Sequence, residues 1–339
     1  MTITFQKKEE CFNFFDNNGN AIERSTEVRF DPLTGETSRL IYDSGLVFLP
    51  PDYSEIAVQN GGAKCPFCPE NLLKLTPVFP KEIIGKGRIY KGEAVGFPNL
   101  FPYSKHNGVI IFSSQHYVQL EEFTTTMISD AFSAAQDYIQ KIIASDCEAR
   151  FASINWNYLP EAGGSVLHPH IQVCVSDSPT NYQALLDEKT QTYKGEQDAF
   201  TDLYEIEKSL GERWIGEKGN VAWMHAFAPK GQNDFLAVFK NKYSIHDINE
   251  LDWTDFAEGL QVIFQTLKDQ GFASFNMALN ISINEESSKQ AMNARLIPRF
   301  TIGMMNTSDI NYYQALHQES LTYKTPEAIA LKARKHFNI

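Results

Sequence analysis

Apolar positions along the chain fall into strand-like and helix-like periods, and the same succession of periods occurs twice. In NGVIIFSSQHYVQLEEF (107–123), β-branched and aromatic residues read as a strand followed by a turn. The next run, TTMISDAFSAAQDYIQKIIAS (125–145), spaces its apolar residues by three and four, the mark of one buried helix face. ARFASINWNYLP (149–160) reads as a further strand, and the segment His168-Pro169-His170 lies on the one after it. In the second half, NDFLAVFKNKYSIHDINEL (233–251) leads into the helical run DWTDFAEGLQVIFQTLKDQ (252–270), then ASFNMALNIS (273–282) and NARLIPRFTIG (293–303). The order strand, helix, strand, strand recurs, and the short hops between strands predict antiparallel sheets. The expected fold is α+β: two similar halves, each an antiparallel sheet with packed helices, meeting around residues 178–200 and divided as 1–190 and 191–339.

Composition narrows the class without altering that fold. At 339 residues with 42% hydrophobic and 12% aromatic content, the chain can bury a large core. A net charge of −12 argues against a surface that collects nucleic acid or anionic membrane, so an anionic substrate has to be met by a local cluster. The first residues, MTITFQKKEECFNFFDNN, hold no apolar stretch long enough for a signal peptide, and nowhere do about 18 apolar residues run unbroken. A cytoplasmic protein is expected. Five cysteines, Cys11, Cys65, Cys68, Cys147 and Cys174, fit reduced thiols or metal ligands better than a disulfide framework.

The candidate chemistry centres on GGSVLHPHIQV (163–173). In an extended strand His168, His170, Gln172 and Cys174 share one side, while Pro169, Ile171, Val173 and Val175 share the other. The apolar set predicts a core face, which leaves the imidazoles and the amide meeting water or lining a cleft. Pro169 cannot donate to a ladder and so marks an edge or a bulge. The glycine pair and Ser165 offer N–H and O–H groups to phosphate oxygens, without the lysine of a P-loop. An exposed strand face after a tight turn is the competing interpretation.

Cys65-Pro66-Phe67-Cys68 brings two thiols to one point, which suits a tetrahedral metal or a redox pair; Pro66 and Pro69 favour a rigid metal knuckle. Two further ligands are needed, and His106, His116 and His168 are the candidates. With His116 at a strand end and His168 completing the set, the metal is closed off and structural, and His170 is left unligated as a nucleophile. Gln172 is then placed to hydrogen-bond a phosphoryl oxygen as charge builds up.

These residues resemble the galactose-1-phosphate uridylyltransferases, a branch of the histidine triad superfamily. The motifs matched in order are RFDPLTGE (29–36), CPFCPEN (65–71), PNLFPYS (98–104), VIIFSSQHYVQL (109–120) and Asn157 with GGSVLHPHIQ (163–172). TPEAIALKARKHF (325–337) looks like the family's final helix. The resemblance implies two histidine-triad-like halves and a homodimer. It further implies zinc on Cys65, Cys68, His116 and His168, His170 as the nucleophile that takes a nucleotidyl group, and Gln172 as its phosphoryl partner. Asn157, Ser165 and Arg29 fall where the family contacts nucleotide and phosphates. The implied reaction is ping-pong with net retention at phosphorus: a nucleoside diphosphate sugar gives its nucleotidyl group to His170, and a sugar phosphate or other phosphorylated acceptor takes it. A phosphorylase or hydrolase of the same superfamily, or an inactive nucleotide-binding homologue, is the alternative. Neither nucleic acid nor membrane is an expected partner.

The second half departs from that pattern. Where the family commonly carries a His-x-His pair for another metal, this chain has NARLIPRF, with Asn293, Arg295 and Arg299 and no histidine, which puts a second metal in doubt. Where sugar-handling members place an aromatic and an acidic residue, it has Met304 and Met305. Either these methionines are core, or the acceptor is not a sugar and Arg295 and Arg299 clamp an anion. Arg299 is a candidate substrate contact, His225 reads as a packed strand residue, Lys230 as a turn lysine, and Glu188 as a weak metal candidate.

Overall fold

The computed structural model describes residues 2–41, 48–283 and 290–337. Strands β1 (Gln6–Phe15), β2 (Ala21–Phe30) and β3 (Thr37–Ile41) form a small antiparallel sheet, extended by a parallel strand from far along the chain, Ser320–Thr322. Short helices α1 (Ser54–Asn60) and α2 (Pro69–Leu75) bracket the Cys65–Cys68 segment. The first repeat then runs β4 (Ile89–Lys91), β5 (Ala94–Pro98), β6 (His106–Ile111), α3 (Thr125–Ser145), β7 (Phe151–Tyr158) and β8 (His170–Ser176). Helices α4 (Asn181–Gln191) and α5 (Ala199–Leu210) link it to the second repeat. That repeat runs β9 (Trp214–Lys218), β10 (Val221–His225), β11 (Phe235–Phe239), α6 (Glu250–Lys268), β12 (Ser274–Ser282) and β13 (Asn293–Arg299), and α7 (Tyr312–His317) and α8 (Pro326–Phe337) follow. No helix among the described residues is long and apolar enough to cross a membrane.

The duplicated α+β unit read from the sequence is present, with one difference. The two repeats share a single ten-stranded sheet in the order β4-β5-β6-β8-β7-β12-β13-β11-β10-β9. They meet at β7 and β12, which pair antiparallel over Phe151–Tyr158 and Phe275–Ser282. Pairing the two inner edges satisfies backbone groups that separate sheets would leave exposed. Residues 190 and 191 are the last two of α4, one of the two helices that join the repeats.

Alternation decides which side of each strand is buried. Ala152, Ile154, Trp156 and Tyr158 of β7, Ile171, Val173 and Val175 of β8, and Phe275, Met277, Leu279 and Ile281 of β12 enter one core with α3 and α6. Both helices start on side-chain caps: Thr124 accepts from the Met127 N–H, and Asn249 forms a reciprocal box with Asp252. They lock together where Trp253 Nε1 donates to Gln136 Oε1 at 2.7 Å, and Gln136 Nε2 donates to the carbonyls of Ile245 and Ile248.

The other side of the sheet differs between repeats. In the second repeat, Leu186 of α4 and Phe200 and Leu203 of α5 cover Met224, Leu236 and Val238. In the first, Phe97, Val109 and Ile111 pack with Phe67, Val95 and Leu72 of the short helix α2, and His170 and Gln172 line a cavity with Phe67 and with Leu75 of that helix. The candidate site lies on this half-face.

Candidate active site and metal centre

The loop before α2 folds tightly on itself. The Cys65 N–H donates to the Gly62 carbonyl at 2.8 Å, and the Asn71 amide donates to the carbonyls of Ala63 and Cys65. Gly62 is left-handed, with φ +71°, and a Cβ there would lie 2.4 Å from Cys68 Sγ, so only glycine lets the loop come this close. Cys68 Sγ lies 3.4 Å from His116 Nδ1 and 3.6 Å from His168 Nδ1, and Cys65 Sγ lies 3.9 Å from His168 Nδ1. All four ligand atoms lie within 4.8 Å of one another. Tetrahedral bonds of about 2.0–2.3 Å hold ligand atoms roughly 3.3–3.8 Å apart; the two Cys68 separations fall in that range and the Cys65–His168 separation, at 3.9 Å, lies just beyond it.

The donor chemistry fits as well. His168 Nε2 is 2.8 Å from the Ser113 carbonyl, which can only accept, so the ring proton sits on Nε2 and Nδ1 keeps its lone pair toward the thiols. Burial lowers the His168 pKa to about 4 and likewise lowers that of His116, so both rings stay neutral. Burial and the neighbouring Cys65 push the Cys68 thiol up to about 12, and a bound cation would reverse this by taking the thiolate. These four residues can therefore hold a metal ion. His106 is not among them: its Nε2 pairs with Asp146 at 2.7 Å.

The same knuckle sets the position of His170. Phe67, inside the Cys-x-x-Cys, meets the His170 ring edge-on at a centroid distance of 5.1 Å and packs against Phe97 at 5.3 Å. His170 Nδ1 lies 2.8 Å from the His168 carbonyl, so Nδ1 carries the proton and Nε2 the lone pair. Burial lowers the His170 pKa, partly offset by that bond to the carbonyl, which keeps the ring neutral at physiological pH. The strand begins at His170 itself, and His168 and Pro169 precede it.

His170 opens on a cavity of about 220 Å³ lined by Phe67, Phe97, Asn99, Phe101, Tyr103 and Ser165 among others, together with Gln172. Ser165 arrives through a strained turn: Leu159 has φ +70°, and Gly163, at +81°, ends the short 3-10 helix Pro160–Ala162. A chain of amides fixes Gln172. Asn107 Nδ2 donates to the Val173 carbonyl, so Asn107 Oδ1 must accept, and Asn99 Nδ2 donates to it at 3.0 Å and to Gln172 Oε1 at 3.3 Å. The Gln172 Nε2 hydrogens are thus left for the cavity.

The structure brings His170, Gln172 and Ser165 to one cavity and sets Asn157 on the strand beside them. The pairing of β7 with β8 ends at Asn155 and Gln172, and Asn157 lies two residues past it on β7, as His170 does on β8. Arg29 lies elsewhere, buried, with its guanidinium on both carboxylate oxygens of Glu327 at 2.8 and 3.0 Å and its Nε on Glu27. Arg299 holds Asp309 through two bonds of 2.8 Å and also donates to Asn276. Arg295 lies 3.1 Å from Asp234 and 3.7 Å from Asp31, so both second-half guanidiniums already face carboxylates. Met304 and Met305 are fully exposed, which overturns the reading of them as core: they lie in the turn between two-residue strands. His225 is a packed strand residue, its Nδ1 bonded to the Ala226 carbonyl and its Nε2 accepting from the Asp234 N–H. Lys230 pairs with Glu36 at 2.6 Å, and Glu188 with its neighbour Lys189. Sequence reasoning passed over Phe67 and Asn99, although both lie inside motifs it quoted, and gave no signal for Asn276.

No family model matches the chain. A protein of Archaeoglobus fulgidus, described only as uncharacterized, is 31% identical over 320 residues, 94% of either chain. An ADP-glucose phosphorylase from Arabidopsis thaliana, solved with bound ADP-glucose, is similar over 91% of this chain and 99% of its own, with TM-score 0.70 and 16% identity. A galt-like protein from the same plant gives TM-score 0.68 over 92% and 99% at 16% identity, and a uridylyltransferase gives 0.60 over 91% and 98% at 17% identity. The chain therefore belongs to one family with the archaeal protein and has the fold of the galactose-1-phosphate uridylyltransferase-like histidine triad proteins.

Proposed function

We propose that this protein is a cytoplasmic nucleotidyltransferase that moves a nucleoside monophosphate from a nucleoside diphosphate sugar to a phosphorylated acceptor through a covalent nucleotidyl-His170. The observation that carries this is the fixed tautomer of His170: Nδ1–H is held by the His168 carbonyl, and the Nε2 lone pair opens on the cavity beside the Gln172 amide. The lone pair attacks the α-phosphorus, forming a P–N bond as the P–O bond to the β-phosphoryl group breaks and its electron pair leaves with the sugar phosphate. An acceptor oxygen then attacks the same phosphorus and the P–N bond breaks, returning the lone pair to Nε2. Gln172 Nε2, Asn157 Nδ2 and the Ser165 hydroxyl are the donors to the phosphoryl oxygens. Arg29 and Arg299 have no part in this proposal, since each is held by carboxylates.

Zinc on Cys65, Cys68, His116 and His168 belongs to the same proposal. It would hold the start of β8 against the knuckle, and the S₂N₂ donor set suits that metal. A homodimer is also part of it, checked by sedimentation. A second reading has inorganic phosphate as the acceptor, favoured by the likeness to a phosphorylase and by the exposed Met304 and Met305, whose thioethers are weak partners for sugar hydroxyls.

The test is intact-protein mass spectrometry after incubation with UDP-, ADP- and GDP-sugars, alongside His170→Asn. A nucleotidyl increment on the wild type alone is expected, and its mass names the nucleotide. Hexose 1-phosphate, inorganic phosphate or buffer alone is then added, and the one that discharges the adduct names the acceptor. No adduct from any donor would refute the proposal.

A further inference from the structure

We infer that Asn276, on β12 of the second repeat, is a positioning residue for nucleotidyl transfer at His170. This rests on the reaction proposed above. Asn276 is not among the residues lining the His170 cavity; it lines a separate one with Arg299, Asp309 and Gln232. It acts through Asn157, its direct partner in the pairing of β7 with β12.

The orientation of three amides follows from groups that have no choice. The Arg299 guanidinium can only donate, and its Nη1 lies 2.8 Å from Asn276 Oδ1. The Ala162 carbonyl can only accept, and Asn276 Nδ2 lies 2.8 Å from it. Asn276 is therefore fixed with Nδ2 toward β7, where its second hydrogen goes to Asn157 Oδ1 at 2.7 Å. Asn157 in turn must face Asn276 with its oxygen, which turns its own Nδ2 hydrogens away from β12. Since β7 lies between β12 and β8, that is the side of β8, whose His170 lies two residues before Gln172, the residue paired with Asn155; there the α-phosphoryl oxygens of a bound nucleotide would lie on the proposed reaction.

The same residue holds the loop that carries Ser165, because Ala162 ends the 3-10 turn directly before Gly163 and Gly164. Behind it, Arg299 is braced by two bonds to Asp309, so the relay has a rigid base in the second repeat. Two donors to phosphate, one on β7 and one on the loop, thus depend on one side chain from the other half of the sheet.

The test is a double-mutant cycle on the rate of adduct formation in single-turnover mass spectrometry, using wild type, Asn157→Ala, Asn276→Ala and the double variant. Asn276→Ala should slow nucleotidylation about ten- to hundredfold, with a smaller change in the donor concentration at half-saturation. In the Asn157→Ala background the further loss should be less than threefold. Melting temperature and metal content report on folding. Asn276→Asp runs the same cycle if the alanine variant is unstable: its carboxylate keeps the bond to Arg299 but can only accept, so Asn157 turns its N–H₂ group toward it and away from His170. The rate should then fall at least as far as in Asn276→Ala. A wild-type rate in both variants, or losses that multiply independently of Asn157, overturns the inference alone. A wild type that forms no adduct overturns it together with the proposed reaction.

Discussion

Gly62→Ala separates the metal knuckle from the rest of the fold. At φ +71°, a residue with a Cβ bears roughly 1–2 kcal/mol of backbone strain. The added carbon would also lie 2.4 Å from Cys68 Sγ and 3.3 Å from His116 Cγ. Non-bonded atoms of this kind rest at about 3.5–4.0 Å, so Sγ or the loop has to move by roughly 1 Å or more. A metal site tolerates only about ±0.2 Å in its ligand distances, so the movement takes Cys68 out of the coordination shell. Two effects should therefore appear: a loss of about 1–2 kcal/mol without metal, and zinc affinity lowered at least tenfold. Gly163→Ala is the control, because Gly163 also has a positive φ (+81°) but nothing lies within 4 Å of the added Cβ. It should share the strain and keep the affinity. Competition with a chromophoric chelator measures affinity, and melting curves with and without zinc measure its stabilisation, which grows with the logarithm of free zinc concentration over the dissociation constant. A Gly62→Ala protein that binds zinc as tightly as wild type, with the same metal-dependent rise in melting temperature, would refute Cys68 as a ligand.

His170→Asn should abolish the adduct while leaving zinc content and melting temperature within error of wild type, since among the described residues the ring's hydrogen bond is to the His168 carbonyl and not to the four cluster side chains; loss of zinc would merge two roles that the geometry separates. Gln172→Glu keeps the acceptor that Asn99 uses but removes the donor, and should slow nucleotidylation about 10²–10³-fold, read by single-turnover mass spectrometry. Arg213→Ala strips the partner 2.7 Å from Glu207, itself 1% exposed, and should cost about 3–5 kcal/mol in urea unfolding. Glu327 gives a pH dependence. Burial raises its pKa, but Arg29 and then Arg213 outweigh that and hold it at about 2. Its folded value is depressed, so its contribution is present above the ordinary 4.5 and is lost as pH falls from there toward 2. The difference in melting temperature between wild type and Glu327→Gln should shrink across that window.

What the sequence revealed was what repeats or alternates. The three-and-four spacing of α3 and α6 and the alternation through Ile171, Val173 and Val175 carried the repeats and the two sides of β8. The Cys-x-x-Cys spacing, with His116 and His168, named the four residues that the structure gathers. Pairings between distant polar side chains have no period. Arg29 meets Glu327 across 298 positions, and Asn157 meets Asn276 across 119, so neither contact could be read from spacing. For the same reason, two cations that looked available for an anion, Arg295 and Arg299, prove to be matched by carboxylates from other segments. The merging of two sheets into one was equally hidden, because the pattern that buries one side of β7 and β12 says nothing about what pairs with their edges.

The two repeats have gone separate ways at equivalent positions. The Phe112 N–H donates to the Pro169 carbonyl at 3.3 Å, and the Phe239 N–H donates to the Met292 carbonyl at 2.9 Å, the same bond in each repeat. The following residues therefore correspond, His170 to Asn293 and Gln172 to Arg295. In the second repeat Asn293 is buried and bonds to Asn280 and the Ala291 carbonyl, while Arg295 sits between Asp234 and Asp31. Asp31 belongs to RFDPLTGE, whose other charges follow the same course, Arg29 to Glu327 and Glu36 to Lys230. That motif fastens the small N-terminal sheet to the second repeat, with the α5 side chains filling the remaining space. Among the described residues the position equivalent to His170 in the second repeat holds no imidazole, so the proposed reaction predicts one nucleotidyl group per chain at saturation. The second repeat meets the first at this point through Asn276, which donates to Asn157 Oδ1 and to the Ala162 carbonyl, so on the inference above its part in the proposed reaction is support.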